Sequence, residues 1–308
     1  MADMIHHDGN ETVGAATAPT VVLPDGQSLF ADRSLRFAQL ARDHAMGDFL
    51  NFMARLAQVQ HQVLHSRPPP ALPAGWRATH AGPPLAVASL IQQSGWQEDF
   101  TALVSALRQD AEGAQVPVLA RAAALASPAR ERLADALLAG QFEETDDRGV
   151  LPLIGAALQV CWTRRTGALS AAEFADVEPG VTCPVCGFPP VASVQHSEGE
   201  RSSRRYLHCA LCASEWWLIR IKCSACGALD HIQYFNLTGA TQPWHAAVRA
   251  ETCDDCRSYL KLLDRSKDAA ADPYADDLAT LVLDVLLDEA GYQRSGSNLL
   301  FVPGTGET

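Results

Sequence analysis

The 308-residue sequence lacks the features that mark membrane-embedded and exported proteins. Its longest apolar run, from Gly149 to Trp162, is too short to cross a bilayer and is interrupted by Pro152 and Gln159. The start of the chain has no positively charged stretch followed by an apolar one, and the first Lys or Arg is Arg33. We therefore expect no membrane insertion and a cytoplasmic location.

Positive charge is also scarce. The chain has 24 Lys and Arg against 36 Asp and Glu, a formal net charge of −12. The deficit lies outside residues 181–265, which carry nine basic and eight acidic residues, while the rest of the chain carries 15 and 28. Phosphate backbones bind clustered Lys and Arg, so this balance disfavours a nucleic-acid partner. An acidic surface of this kind favours electrostatic docking to another protein.

Catalytic signatures are missing as well. The sequence has no paired nucleophile and base, no glycine-rich phosphate loop and no paired catalytic carboxylates. The sequence therefore shows no recognisable signature of an enzyme. Apolar residues make up 47% of the chain, which is typical of a globular protein with two or three domains.

Apolar periodicity and turn signals predict an α+β protein. Helical spacing recurs through about the first 175 residues, and β-prone runs at 215–222 and 231–235 then alternate with cysteine pairs. The predicted helices of the first part are 48–66, 84–111, 115–126, 128–141 and 152–167. The predicted units are an extended segment (1–30), an all-helical domain (31–178), two tandem four-cysteine β modules (179–221 and 222–265) and a C-terminal helix with its tail (266–308).

The C-terminal helix is predicted to begin at Asp272-Pro273 and to run to about Ala290. Most of its surface is apolar, and a helix of this kind is normally buried between neighbouring elements. We therefore expect it to pack between the domains. On a helical wheel the apolar face is formed by Leu278, Leu281, Val282, Val285 and Leu286 and is widened by Leu283 and Leu287, while Asp277, Asp284 and Asp288 form a narrow acidic stripe.

Eight of the nine cysteines form four Cys-x-x-Cys pairs. A glycine follows the first and third pairs directly (Gly187 and Gly227), whereas a serine stands two residues after the second and fourth pairs (Ser214 and Ser258). This alternation indicates an internal duplication with one four-cysteine site in each copy. The first predicted site is Cys183, Cys186, Cys209 and Cys212, and the second is Cys223, Cys226, Cys253 and Cys256.

Four thiolates at this spacing suit one tetrahedral metal ion, and spacing alone does not distinguish zinc from a single iron ion. A small ribbon depends on such an ion for much of its stability. Four protein ligands leave no open coordination position, which favours a structural, sensing or electron-handling role over Lewis-acid catalysis. The alternatives are a thiol oxidoreductase that uses one cysteine pair, or a zinc ribbon that binds nucleic acid.

Several other side chains that could bind a metal or a partner are expected to have structural roles. Cys161 lies on an apolar helix and is expected in the core. Three arginines at 201, 204 and 205 are expected to cap a hairpin. His61 and His65 are expected on a solvated helix face, and the adjacent Trp216 and Trp217 are expected to screen the first metal ion from water.

The sequence resembles the formate dehydrogenase accessory protein family, FdhE, through six stretches. They are RFAQLARDHAMGDFLNFMARLAQVQ, CPVCGFPPVAS, RYLHCALCASEW, IKCSACG, ETCDDCRSYLK and DPYADDLATLVLDVLLDEAGYQRSG. The resemblance implies a helical N-terminal region followed by two rubredoxin-like modules. It implies two mononuclear iron ions, with zinc as the alternative, held by the eight paired cysteines. It also implies a non-catalytic maturation factor that acts in the cytoplasm on the catalytic, molybdenum-containing subunit of respiratory formate dehydrogenase before export.

Overall fold

The computed structural model describes residues 18–70, 82–93, 95–142, 147–178, 180–197, 201, 204–237 and 247–302. Within these ranges, a helical part occupies the first half of the chain, and two short helices and all but the first strand of a mixed β-sheet follow it. The predicted α+β class is therefore confirmed. Within the described ranges, no helix combines the length and the apolar content needed to cross a membrane.

Seven α-helices build the helical part within the described residues. They are α1 (Leu29–Leu40), α2 (Gly47–His65), α3 (Val87–Leu90), α4 (Trp96–Arg108), α5 (Gln115–Ala124), α6 (Ser127–Ala139) and α7 (Leu151–Thr166). Four predicted helices agree with α2, α5, α6 and α7 to within two residues at each end. Pro128 stands in the first turn of α6, where a missing N–H costs no hydrogen bond.

One predicted helix is interrupted. The run predicted at 84–111 divides into α3, a 3₁₀ turn at Ile91–Gln93, and α4. Gly95 takes a left-handed conformation (φ +76°) just before Trp96, the first residue of α4. Periodicity missed this break because the apolar spacing continues on both sides of a residue whose role is conformational.

Helix α7 is buried along nearly its whole length. Arg164 near its C-terminal end is bound by the buried Asp99 of α4, with Nη1 2.7 Å from Oδ2. Gly155 faces the C-terminal segment so closely that a Cβ there would collide with the backbone of Leu299. The last described part of the chain is therefore packed against α7.

In the part of the chain that the structure describes, the strands form one eight-stranded sheet in the order β1-β4-β3-β2-β7-β6-β5, with β8 beside β7. Strands β2–β4 make the first cysteine ribbon and β5–β7 the second, and β2 pairs with β7 in parallel, with Ser193 opposite Leu262. The two predicted four-cysteine modules therefore share one continuous sheet. The strands are β1 (Val21–Val22), β2 (Pro190–Gln195), β3 (Arg205–Cys209), β4 (Glu215–Trp217), β5 (Ile232–Phe235), β6 (Val248–Cys253), β7 (Ser258–Asp264) and β8 (Gln293–Arg294).

Two sequence predictions about strands need adjustment. The strand predicted at 215–222 ends at Trp217, and Ile219 and Ile221 beyond it are exposed. The segment predicted as extended, 1–30, is described from residue 18 onward. That part supplies β1, which pairs with β4 so that Val21 lies opposite Trp216.

The predicted C-terminal helix is two helices, α8 (Ala275–Ala279) and α9 (Leu281–Glu289), divided at Thr280. Helix α8 contacts α1 and α2, and the adjoining Tyr274 hydroxyl donates to the Cys209 carbonyl at 3.2 Å. Arg36 of α1 donates from Nε to Asp276 of α8 at 2.8 Å. This half of the segment therefore lies between the helical part and the first ribbon, as expected.

The predicted wheel is wrong for α9. Val282, Val285 and Leu286 are 48–57% exposed, whereas Leu283 and Leu287 are buried in the cluster that includes Val248 and Ala250 of β6. The wheel sorted residues by polarity alone. It therefore centred the apolar face on Val282, Val285 and Leu286 and left Leu283 and Leu287, which are the buried residues, at its edge.

Two basic residues explain why acidic side chains point inward here. Lys261 of β7, fully buried, lies 3.1 Å from Asp277 and 2.5 Å from Asp284. Arg294 of β8 lies 2.8 Å from Asp277 and 3.2 Å from Asp284. A buried carboxylate is stable when a paired charge and hydrogen bonds compensate for lost water. Burial opposes ionisation of Asp277, yet Arg294 and Lys261 lower its pKa to about 2.

Candidate metal centres

The structure brings the eight paired cysteines together in the two groups that the sequence predicted. In the first site, the Cys183 and Cys212 sulfurs lie 3.6 Å apart, and those of Cys186 and Cys209 lie 3.3 Å apart. The corresponding distances in the second site are 3.8 Å (Cys223 to Cys256) and 3.9 Å (Cys226 to Cys253).

These separations suit one ion at the centre of each group. A tetrahedral ion with metal–sulfur bonds of about 2.3 Å places its sulfurs about 3.8 Å apart. All four sulfurs of each site lie within 4.8 Å of one another. Burial raises the pKa of the Cys186 thiol well above its ordinary value, so a bound cation supplies the charge that lets such thiols ionise. The donor set therefore fits zinc or mononuclear iron, and each would be held by protein ligands alone.

All four Cys-x-x-Cys turns share one backbone geometry. The residue after each pair has a positive φ: +78° at Gly187, +59° at Ala213, +77° at Gly227 and +53° at Arg257. This turn lets backbone N–H groups approach the sulfurs. The sequence predicts this left-handed conformation at Gly187 and Gly227, where a glycine directly follows the cysteine pair. It gave no such signal at Ala213 and Arg257, which take the same conformation at a cost in backbone strain.

Polar groups around the sulfurs also repeat between the sites. The backbone N–H groups of Leu211 and Cys212 donate to the Cys209 sulfur at 3.4 Å, and that of Ala225 donates to the Cys223 sulfur at 3.3 Å. The two serines that marked the duplication occupy matching places. Ser214 Oγ lies 3.3 Å from the Cys212 sulfur, and Ser258 Oγ lies 2.9 Å from the Cys256 sulfur. These dipoles stabilise negative charge on thiolates.

The first site is enclosed by the core. Its four cysteines are at most 1% exposed, and Val185 and Leu211, which lie between the cysteines of their pairs, are fully buried. Trp216 is buried in the same cluster, with its indole N–H donating to the Gly180 carbonyl at 3.0 Å. Trp217 is 38% exposed, so of the two tryptophans only Trp216 belongs to the buried surroundings.

The second site lies at the surface. Cys226 and Cys256 are exposed, while Cys223 and Cys253 are buried. Polar residues stand between the cysteines here, including Asp254 and Asp255, whose carboxylates accept hydrogen bonds from Gln233 (2.6 Å) and His231 (3.0 Å) respectively. The sequence carries this difference: the first site reads CPVC and CALC, the second CSAC and CDDC. Apolar spacer residues indicate enclosure, and polar ones indicate exposure.

The other residues singled out in the sequence have structural roles. Cys161 is buried in α7, as expected. His65 accepts or donates a hydrogen bond within α2, with Nδ1 2.8 Å from the His61 carbonyl. In the run expected to cap a hairpin, Arg201 is bound to Glu215 at 2.8 Å and Arg205 to Glu251 at 2.7 Å. Arg205 thereby joins the first ribbon to the second.

A buried polar cluster beside the first site was missed at the sequence level. Glu215 of β4 lies 2.8 Å from His196 and 3.3 Å from His208. Burial opposes ionisation of this carboxyl, but the two histidines hold the pKa of Glu215 well below its usual range. These residues are 7 to 19 positions apart in sequence, and only strand pairing brings them together. In the described part of the chain, the two cysteine quartets are the groups of three or more ligating side chains that could hold a metal ion.

A helical region joined to a sheet that carries two closed four-cysteine centres defines a class of metal-binding ribbon protein. The matching family models are FdhE, N-terminal, over residues 18–178; FdhE, central domain, over 182–220; and FdhE, C-terminal domain, over 221–301. The chain therefore belongs to the FdhE family.

Relatives and a solved structure agree with this assignment. A Protein FdhE homolog from Pseudomonas aeruginosa is 39% identical over 297 residues, covering 94% of this chain and 95% of the relative. One from Edwardsiella ictaluri is 39% identical over 289 residues, covering 92% of each. The crystal structure of the FdhE protein from Pseudomonas aeruginosa matches with a TM-score of 0.82 and 37% identity, covering 93% of this chain and 100% of that one.

Proposed function

We propose that the protein is a maturation factor that binds the catalytic, molybdenum-containing subunit of a respiratory formate dehydrogenase in the cytoplasm and assists its assembly before export. The observation that carries this proposal is the pair of four-cysteine centres in a chain of the FdhE family. Because four protein ligands complete a tetrahedral coordination shell, neither centre offers a position for a substrate. A binding and assembly role fits such closed centres better than catalysis does.

The metal in each centre is proposed to be mononuclear iron, with zinc as the alternative. When bound, either ion stabilises its ribbon, and iron can in addition change its charge. Anaerobic purification followed by elemental analysis and a visible spectrum tests this directly. Two ions per chain are expected; an iron–thiolate protein is red when oxidised, and a zinc protein is colourless. A preparation with disulfides or free thiols in place of bound ions would contradict the assignment.

Charge distribution supports docking to a protein. Outside residues 181–265 the chain carries 28 acidic and 15 basic residues. Opposite potentials accelerate encounter between proteins, and salt screens that attraction. We propose that the acidic helical part takes part in docking.

The test is to measure binding of the purified catalytic subunit at low and high ionic strength. Affinity should fall as salt is added, and an affinity indifferent to salt would rule out the electrostatic part of the proposal. Mixed DNA and RNA serve as the competing ligands in a gel shift. Tight nucleic-acid binding together with no binding of the subunit would favour the zinc-ribbon alternative and refute the maturation role.

A further inference from the structure

The face of the sheet between the two ribbons contains an arginine-lined cavity of about 130 Å³. It lies apart from the sulfurs of both metal centres, and none of the eight cysteines lines it. Its lining comes from strands of both ribbons and from the segment that joins them: Gln195, Arg205, Arg220, Tyr234, Arg249, Glu251 and Leu262.

Strand register explains why these residues share one face. Gln195 of β2 pairs with Arg205 of β3, and Leu262 of β7 pairs with Arg249 of β6. Along β6, side chains alternate between the two faces. Val248 and Ala250 pack in the cluster with α9, so Arg249 and Glu251 point to the opposite face. The cavity is therefore a product of the joined sheet and exists only where both ribbons meet.

Arg205 is largely occupied by contacts within the protein, although its buried Nε has no hydrogen-bond partner. Arg205 is 3% exposed, pairs with Glu251 at 2.7 Å, and donates from Nη1 to the Lys222 carbonyl at 3.0 Å. The same Glu251 carboxylate accepts from the Ser193 hydroxyl at 2.6 Å. The opposite charges of Arg205 and Glu251 cancel, and the two side chains form the floor of the cavity.

The other two arginines keep guanidinium N–H donors that form no hydrogen bond with the described residues. Arg249 approaches Asp264 at 3.4 Å, its Nε has no hydrogen-bond partner, and its guanidinium carbon lies 5.5 Å from the centre of the Tyr234 ring. Arg220 is exposed and, among the described residues, has no hydrogen-bond or ion-pair partner. With three arginines set against Glu251 and Asp264, the site has a formal charge of +1 in a chain of charge −12.

We propose that this cavity binds a single carboxylate group, held by the guanidinium groups of Arg220 and Arg249. A planar carboxylate accepts the paired N–H donors of arginine. The formal charge of +1 matches a monoanion, whereas a phosphate backbone requires a longer array of basic residues. The carboxylate comes either from a free small acid or from an Asp or Glu side chain of a bound protein, and both sources present the same chemistry to the site.

Titration calorimetry on the full-length, metal-loaded protein tests this assignment. The probes are acetate, N-acetyl-aspartate amide and inorganic phosphate. Saturable 1:1 binding of a carboxylate probe is expected, and Arg220→Gln should weaken it about five- to tenfold because one charged donor pair is lost. Arg108→Gln, the same substitution at another exposed arginine, on α4, is the matched control and should leave the affinity unchanged.

The two probes separate the sources. Binding of acetate with exclusion of N-acetyl-aspartate amide assigns the site to a free small acid, and binding of the larger probe assigns it to an acidic side chain of a partner. Failure of both carboxylates to bind, tighter binding of phosphate, or equal loss in Arg220→Gln and Arg108→Gln would overturn the proposal. Arg220 is exposed, so its substitution should leave the folded structure intact, and the melting temperature of each variant verifies this.

Discussion

The two metal centres should release their ions to a chelator at very different rates. At the second site, Cys226 and Cys256 are exposed, so a chelator can approach the metal–sulfur bonds directly. At the first site every cysteine is at most 1% exposed. Its ion can leave only after the turns that carry Val185 and Leu211 open to solvent.

The size of this difference follows from the apolar surface that opening exposes. Moving one buried Val or Leu side chain into water costs about 1.5–3 kcal/mol, so opening both turns costs about 3–6 kcal/mol. Each 1.4 kcal/mol is a factor of about ten in the open population. Release from the first site should therefore be slower by a factor on the order of 10² to 10⁴.

The assay loads the protein with two zinc ions and follows their transfer to a coloured chelator by absorbance. Two phases of equal amplitude are expected, one ion each. Cys226→Ser should abolish the fast phase and leave the rate of the slow phase unchanged, because the substitution lies in the exposed site. A single phase, or loss of the slow phase in Cys226→Ser, would refute the link between burial and metal retention.

Single substitutions test other parts of the fold. Ala213→Gly should raise the free energy of unfolding by about 0.5–1 kcal/mol, because it relieves left-handed strain at φ +59° at some cost in entropy; an unchanged urea midpoint would contradict this. Asp277→Asn should remove about 2 kcal/mol of stability. Wild type has this contribution above pH 4 and loses it as the pH falls towards 2, because the folded-state pKa of Asp277 is lowered. Parallel acid-unfolding curves for the two proteins would contradict this prediction. Lys261→Met should destabilise the fold by about 3 kcal/mol, because it removes a buried cation that lies 3.1 Å from Asp277 and 2.5 Å from Asp284. Thermal melting measures this, and an unchanged midpoint would show that Arg294 alone compensates.

Four of the helices could be predicted because they depend on short-range patterns. Helices α2, α5, α6 and α7 follow apolar spacing and local start signals, and each matched its prediction closely. The break before α4 depends on the backbone of Gly95, and periodicity does not register it. The prediction for helix α9 was wrong for a different reason. Its orientation depends on Lys261 and Arg294, which come from other strands.

The cavity and the buried Glu215 cluster could not have been found from the sequence. Arg205 and Arg249 belong to different ribbons, and the parallel pairing of β2 with β7 is what places them on one face. No local pattern encodes a pairing between strands about 70 residues apart. The difference in exposure between the metal centres was readable, since it is present in the residues between the cysteines.

The sequence by itself determined the two groups of four cysteines. A two-residue spacer and the repeated glycine and serine positions are local chemistry, and a metal ion requires the same four ligands whatever surrounds the ribbon. The tertiary structure alone decided which acidic residues turn inward and where the arginines of the two ribbons meet. Those outcomes depend on packing between distant segments, where burial and charge pairing outweigh the local pattern.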